Sequence, residues 1–265
     1  GRITLYCGAV DIGQGSNTIL TQIAADALGV AATDVALVMG DTARTLDAGK
    51  TSASRQTFVT GKACELAALD LKAKLAQLTD RAALRDLPPD NHGDVLTGHG
   101  RFDPPTTPLD ANGQGVPYAC YGFATQVALV EVDLDLGTVK VLKIAAAHDV
   151  GKAVNPQQVE GQIHGGTAQG IGLALMEEYI PGRTENLHDY LIPTFGDMPE
   201  MICKIVEAPT QHGPHGAKGV GEPALISTAP AIFGGIYRAT GVRVTKVPVL
   251  PHRLRAAIRA KEAKR

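Results

Sequence analysis

Glycine-rich segments beside predicted helices constrain the fold of this 265-residue chain more than any other feature. The clearest covers residues 161–172 and reads GQIHGGTAQGIG, inside a stretch whose spacing predicts a helix over residues 157–178. A glycine in a helix interior costs about 1 kcal/mol relative to alanine. A helix with so many glycines is therefore expected to have either a neighbouring helix or sheet packed close to its backbone, or a large ligand there.

Composition excludes several classes of protein. The chain is 44% hydrophobic and 20% charged, with a formal net charge of −2, which is typical of an ordinary globular protein. It has no basic excess for nucleic acid and no apolar run near the ~20 residues of a membrane span. Its four widely spaced cysteines favour reduced thiols in the cytoplasm over a disulfide scaffold, a zinc site or an iron–sulfur cluster. The chain opens inside a predicted strand without Met, so we expect a fragment or one subunit of a split enzyme.

The order of predicted elements indicates an α+β fold with mixed sheets and long packed helices, since strands and helices do not strictly alternate. Predicted strands cover residues 3–12, 35–39, 123–133, 138–147 and 201–207, the third and fourth forming a hairpin. Predicted helices cover residues 17–28, 54–78, 157–178 and 225–240, followed by a short strand and a basic C-terminal helix. The predicted N-cap residues are Ser16, Thr51 and Ser52.

Two further segments place polar groups at helix starts. Gly13-Gln14-Gly15 lies between a strand and a helix, where free backbone N–H groups favour an anion. The alternative is a tight turn without a ligand. Residues 51–56 place small hydroxyls, Arg55 and Gln56 at the head of the next helix. There, helix capping with a solvated arginine is the alternative.

A fourth segment, residues 216–224, holds Glu222 in a glycine-rich loop directly before Pro223. A carboxylate held in a fixed direction, with room for a ligand beside it, can act as a general base. The same residue could instead be an acidic residue that stabilises the positive end of a helix.

Together the four segments, in their order along the chain, resemble the large, molybdopterin-binding subunit of the xanthine oxidase family. The resemblance runs from residue 8 to about residue 248. It implies that residues 1–265 are the second, C-terminal molybdenum-cofactor-binding domain, with the substrate-entry domain and the first cofactor-binding domain upstream. One position departs from the pattern, since His164 stands where many members carry Glu.

The resemblance also implies roles for individual residues. Glu222 matches the catalytic base of the family. The residues expected to bind the cofactor are Ile12, Gly13 and Gln14 beside the molybdenum and pterin, Thr51, Ser54, Arg55 and Gln56 at the pterin or its phosphate tail, Gln162 at the pterin, and Lys218, Gly219, Val220 and Gly221 lining the metal pocket. No protein group would coordinate the metal, because the pterin dithiolene sulfurs do so.

The implied activity is hydroxylation of an aldehyde or N-heteroaromatic carbon, with water as the oxygen source. The cofactor would be molybdenum-molybdopterin in the cytosine dinucleotide form. Electrons would pass to iron–sulfur clusters and FAD on partner domains or subunits. Apolar surfaces that could meet the upstream domain are the strand near residues 123–132 and the Ala-rich helix after Ser54. Two alternatives stay open: reductive dehydroxylation of an aryl-CoA, and a non-catalytic domain of the same fold.

Overall fold

The computed structural model describes residues 2–78 and 81–263. Its strands are β1 (Ile3–Cys7), β2 (Val35–Met39), β3 (Ala124–Val132), β4 (Val139–Asp149) and β5 (Glu200–Val206). Its α-helices are α1 (Ser16–Leu28), α2 (Gly61–Ala76), α3 (Pro156–Leu175), α4 (Pro223–Ile226), α5 (Thr228–Thr240) and α6 (Pro251–Glu262). A π-helical turn, Gln56–Thr60, leads into α2. Short 3-10 turns occur at Ala32–Asp34, Arg81–Asp86, Phe195–Asp197 and Pro214–Gly216.

The chain divides into two compact units, each built from separated segments. Unit 1 comprises residues 1–121, 150–156 and 207–219. Unit 2 comprises residues 122–149, 157–206 and 220–265. That residues 1–265 act as one cofactor-binding domain stays a prediction.

Unit 1 is built on a two-stranded parallel sheet. β1 pairs with β2 from Ile3 opposite Val35 to Cys7 opposite Met39. α1 connects the two strands and packs against α2. Apolar residues on one face of α1 recur at helical spacing and are buried against the sheet and α2. The buried core of this unit includes Leu5, Leu20, Ala24, Val35, Cys64 and Ala68.

Unit 2 is built on a three-stranded mixed sheet. β3 pairs antiparallel with β4, which pairs in parallel with β5. The two antiparallel strands form the predicted hairpin, closed by a bond from the Gly137 N–H to the Asp133 carbonyl. α5 packs against β3. The buried core of this unit includes Ile144, Ile163, Ile171, Ile232, Ile236 and Leu254.

Two glycines of α3 allow a neighbouring segment to touch the helix backbone. A Cβ at Gly166 would lie 2.5 Å from the Cβ of Ala224, and one at Gly170 would lie 2.4 Å from the Cβ of Thr228. Any larger residue would force these segments apart. At these two positions the close packing partner is therefore protein, which was one of the two alternatives left open by the sequence.

The other two early glycines of α3 have no such partner. A Cβ at Gly161 or at Gly165 would meet nothing within 4 Å in the part of the chain that the structure describes. Both residues are exposed, and they lie one helical turn apart. Packing against the described residues therefore does not explain why these two positions are glycine, although glycine lowers the helix propensity of α3 there.

The fold class agrees with the prediction, and the observed helices and strands correct several local expectations. Gly15, at φ 84°, is the N-cap of α1, so Ser16 is its first residue and not its cap. Neither Thr51 nor Ser52 caps the predicted helix, because the chain enters it through the π-helical turn. The helix predicted over residues 225–240 is interrupted at Ser227. No strand forms at residues 241–250, all of which the structure describes.

Neither a membrane-spanning helix nor a protein-ligated metal site occurs in residues 2–78 and 81–263. None of the helices in these ranges is long and apolar enough to cross a membrane. The same ranges contain no cluster of three His, Cys, Asp or Glu side chains placed to hold a metal ion.

Substitution of the α3 glycines separates the packed positions from the open ones. Gly166→Ala is expected to lower the free energy of unfolding by about 1–3 kcal/mol, because the new methyl overlaps Ala224. Gly165→Ala, at an open position on the same helix, is expected to raise it by up to about 1 kcal/mol through helix propensity. Urea unfolding measures both. Equal shifts of the same sign would contradict the assignment of Gly166 to close packing.

Candidate functional site

The turn between β1 and α1 is closed by the chain's own carboxylate. Asp11 accepts hydrogen bonds from the backbone N–H groups of Gly13 at 2.8 Å, Gly15 at 3.3 Å and Asn17 at 3.0 Å. Burial opposes ionisation, but the N–H groups outweigh it and lower the pKa of Asp11. The expectation of free N–H groups here is therefore wrong for these three, because an internal anion already occupies them.

Gln14 is folded back over the same turn. Its Oε1 accepts a hydrogen bond from the Ile12 N–H at 2.6 Å, and its Nε2 donates to the Val10 carbonyl at 3.3 Å and the Ser16 hydroxyl at 3.2 Å. The Ile12 side chain is 71% exposed. Gly13 has φ 103°, and a Cβ there would meet nothing within 4 Å among the residues that the structure describes. The turn thus presents an ordered, open surface.

Thr51 ties the predicted pterin-binding segment to this turn. Its hydroxyl donates to the Val10 carbonyl at 2.9 Å and accepts from Gln56 Nε2 at 2.8 Å. Gln56 is buried, and its Oε1 has no hydrogen-bond partner among the described residues. Unit 1 therefore brings residues 10–16 and 51–56 together, as the prediction for the cofactor residues requires.

Arg55 stabilises a neighbouring loop. Its Nη1 donates to the carbonyl oxygens of Ala48 at 2.8 Å and Lys50 at 2.9 Å. These bonds hold the loop that precedes the hydroxyl-rich segment. This guanidinium nitrogen has a structural role, which sequence reasoning did not foresee.

The segment that carries Lys218 and Gly219 joins the same cluster in unit 1. A Cβ at Gly219 would lie only 2.0 Å from the Ser54 carbonyl oxygen, so the two backbones are in direct contact. The Lys218 N–H donates to the Val150 carbonyl at 2.9 Å, and the Lys152 N–H donates to the Gly216 carbonyl at 3.1 Å. Three segments far apart in sequence thus meet in unit 1.

Sequence reasoning missed the residue that fastens this last segment. Glu65, on α2, is 8% exposed and contacts Lys62 at 2.5 Å. It also accepts a hydrogen bond from the His215 N–H at 3.2 Å, with the His215 Nδ1 at 3.3 Å. His215 has φ 50°, a strained conformation that these bonds stabilise. In the sequence, Glu65 is marked only as an acidic residue on a face of α2 whose other residues are predicted to be buried.

The remaining site residues belong to unit 2. Glu222 is the N-cap of α4 and lies two residues before Ala224, which contacts Gly166 of α3. Gln162 lies one turn before Gly166 on α3 and is half-buried. The two segments run in the same direction, because Gly166 contacts Ala224 and Gly170, one turn later on α3, contacts Thr228. Glu222 therefore comes just before this contact on its own segment, as Gln162 comes just before it on α3.

Val220 and Gly221 connect this region to the rest of unit 2. Val220 packs against the hydrophobic core, which anchors the segment before Glu222. Gly221 is exposed in the turn that follows. The backbone before Glu222 is therefore held against the core at Val220 and exposed to solvent at Gly221.

A buried polar network also holds α4. The Gln126 Nε2 donates to the Ala224 carbonyl at 2.9 Å, and its Oε1 accepts from the Thr228 hydroxyl at 2.7 Å. His148 Nε2 lies 3.3 Å from Gln126 Nε2. Burial lowers the pKa of His148, which favours the neutral ring. Gln126 was not among the predicted site residues. In the sequence it is distinguished only as an amide residue within an apolar strand.

The residues present suit a molybdopterin in two respects. Exposed glycines at positions 13, 161 and 165 leave backbone that a large ligand can approach without meeting a side chain. The buried, unpartnered Gln56 Oε1 can accept a hydrogen bond from an N–H group of a heterocycle such as a pterin. The predicted residues therefore fit the group, although Asp11 occupies the N–H groups first expected to bind an anion.

The role of Thr51 in joining two segments can be tested by substitution. Thr51→Val leaves the Gln56 amide without its hydroxyl partner, so the free energy of unfolding is expected to fall by about 1–2 kcal/mol. Thr51→Ser keeps the hydroxyl and is expected to stay within about 0.5 kcal/mol of the wild type. Urea unfolding of the three proteins gives the comparison. A valine variant as stable as the serine variant would show that the hydroxyl does not join the segments.

Comparison with known proteins identifies the family. The sequence model described as molybdopterin cofactor-binding domain matches residues 1–199. A probable xanthine dehydrogenase subunit of Bacillus subtilis (strain 168) is 34% identical over the whole chain, which spans 38% of that protein. The xanthine dehydrogenase molybdenum-binding subunit of Escherichia coli O157:H7 is 32% identical over 96% of the chain and 37% of its own length.

A solved structure gives the same result for the fold. The aldehyde oxidoreductase from Desulfovibrio desulfuricans ATCC 27774 superposes with a TM-score of 0.88 at 33% identity, over 97% of this chain and 29% of that one. The chain thus spans less than two fifths of the length of each of these proteins. With a family match over most of its length and this structural likeness, the chain belongs to the molybdopterin cofactor-binding domain family of the xanthine dehydrogenase and aldehyde oxidoreductase type.

Proposed function

We propose that this chain is the catalytic, cofactor-binding part of a molybdenum-dependent oxidoreductase that hydroxylates an aldehyde or N-heteroaromatic carbon with water as the oxygen source. One observation carries the proposal. Glu222 begins the short helix whose Ala224 packs against Gly166 of α3, and Gly161 and Gly165 leave the backbone of the same helix open. A carboxylate on a segment packed against a helix with open glycines suits a base that works against a large bound cofactor.

The chain's own residues would hold the cofactor in two sets. In unit 2, the open face of α3 and Gln162 would receive the pterin, with Val220 and Gly221 beside it. In unit 1, the turn of Ile12, Gly13 and Gln14 and the contact of Gly219 with Ser54 provide rigid backbone surfaces. The polar groups offered to the pterin or its phosphate tail are Thr51, Ser54, Arg55, Gln56 and Lys218.

When bound, the molybdenum centre supplies two-electron oxidation of the substrate carbon. Glu222 would accept the proton released as the water-derived nucleophile forms. A positioned base of this kind contributes about 10²–10⁴ in rate. We propose the cytosine dinucleotide form of the cofactor, and the positive charges of Arg55 and Lys218 suit the phosphate groups of its tail. The oxidative direction is favoured over aryl-CoA reduction, since the relatives compared above are named for dehydrogenation and aldehyde oxidation.

Substitution of Glu222 tests the proposed base in the assembled holoenzyme. Glu222→Gln is expected to lower kcat by at least about 10²-fold, because the amide cannot accept the proton. Glu200→Gln, which alters an exposed ion pair with Lys143, is the matched control and should keep kcat within about twofold of the wild type. Turnover is measured with an artificial electron acceptor, and molybdenum content is measured in parallel. Wild-type turnover by Glu222→Gln at full molybdenum content would refute the assignment.

Partners form the second part of the proposal. An upstream cofactor-binding domain would complete the pocket, and iron–sulfur and FAD subunits would carry the electrons away. The three proteins compared above are much longer than this chain, and one is named a molybdenum-binding subunit. Val127 and Leu129 are 65% and 56% exposed on β3, which supports the predicted apolar contact surface there. The four free cysteines suit the cytoplasm.

Metal analysis tests whether the chain needs that partner. The chain alone is expected to retain less than about a tenth of the molybdenum found when it is produced with its upstream domain, because half of a pocket leaves the ligand solvated. Molybdenum is quantified by mass spectrometry after gel filtration. Full loading of the isolated chain would overturn the proposed need for the upstream domain.

A further inference from the structure

The buried amide of Gln126 connects three elements of unit 2 behind Glu222. Gln126 is 9% exposed on β3, and it bonds the Ala224 carbonyl in α4 and the Thr228 hydroxyl at the start of α5. Thr228 is fully buried. Buried polar groups of this kind are costly unless each finds a partner, so a satisfied network fixes the elements that it joins.

The orientation of this amide is unique. A carbonyl oxygen can only accept a hydrogen bond, so the NH₂ group of Gln126 must face Ala224. The amide oxygen then faces Thr228, whose hydroxyl donates to it at 2.7 Å. The second N–H can donate to the Nε2 of neutral His148 at 3.3 Å. Thr228 therefore holds the amide in the one orientation that can bind α4.

The short helix α4 depends on such external support. It has only four residues, and its N-cap, Glu222, makes no side-chain capping bond. A single turn is unfavourable by itself, because its few hydrogen bonds do not offset the cost of ordering the backbone. Ala224 is fully buried, held by Gly166 of α3 on one side and by the Gln126 amide at its carbonyl. The Leu225 N–H donates to the Glu222 carbonyl at 3.1 Å, which carries this constraint to the base.

We infer that Gln126 and Thr228 are positioning residues that fix the direction of Glu222 through the Ala224 carbonyl. The inference rests on the proposed function for the role of Glu222, but the hydrogen bonds are independent of it. Neither residue touches the substrate. They act by keeping the first turn of α4 formed while Glu222 gains and loses its proton.

Two buried threonines of unit 2 provide a matched test. Thr228→Val removes a hydroxyl that donates to Gln126 while keeping the side-chain shape. Thr167→Val makes the same change on α3, also at a fully buried position, where the hydroxyl has no hydrogen-bond partner in the described part of the chain. Thr228→Ser keeps the donor. Gln126→Met, which removes the amide, is a second variant if the valine protein folds poorly.

The first readout is exchange of the Leu225 amide hydrogen in the full chain without cofactor, followed by NMR. Thr228→Val is expected to accelerate this exchange at least about tenfold, while Thr167→Val and Thr228→Ser stay within about twofold of the wild type. Gln126→Met should match Thr228→Val. Equal exchange in the two valine variants would overturn the inference, because the hydroxyl–amide bond would then not support α4.

The second readout is kinetics of the cofactor-loaded complex. Thr228→Val is expected to lower kcat at least about fivefold with KM within about twofold, because the base is misdirected while substrate binding is retained. Faster Leu225 exchange with unchanged kcat would also overturn the inference. Failure of the proposed function gives a different result: Glu222→Gln would then stay active at full molybdenum content, whatever the exchange rates are.

Discussion

Close contact between the backbone of α3 and residues 224–228 is the constraint on which the arrangement of unit 2 depends. Gly166 and Gly170 allow Ala224 and Thr228 to approach the helix to a distance that any side chain would prevent. That contact fixes where α4 begins, and so where Glu222 stands. The Gln126 amide binds the Ala224 carbonyl of the same short segment, so α4 is held by both an apolar contact and a polar one.

In unit 1, the segments that carry proposed cofactor-binding residues are held in place mainly by hydrogen bonds. Thr51 joins the glycine-rich turn to the segment before α2, and Glu65 fastens the strained loop at His215. The backbone contact between Gly219 and Ser54 completes the cluster. In both units the residues proposed to bind the cofactor lie on segments held by hydrogen bonds or close backbone contacts, which lowers the entropy that binding must overcome.

The glycines of α3 show how one sequence motif serves two physical purposes. Gly166, Gly170 and Gly172 permit close packing within the protein, and two, at positions 161 and 165, leave the helix open to an external group. Both uses rely on the absence of a Cβ, and both carry the same helix-propensity cost. The open pair supports the proposal that a large cofactor lies against this helix, because nothing in the described chain accounts for them.

The sequence alone determined the fold class, most of the strands and helices, and the family, because hydrophobic periodicity and glycine-rich motifs are local patterns. It also marked Glu222 as the candidate base. Only the tertiary structure decided which α3 glycines are packed, that Asp11 occupies the N–H groups at the start of α1, and that Gln126 supports α4. These depend on contacts between residues far apart in the chain. Local spacing carries no information about which distant backbone will approach a glycine or which buried amide will meet a carbonyl.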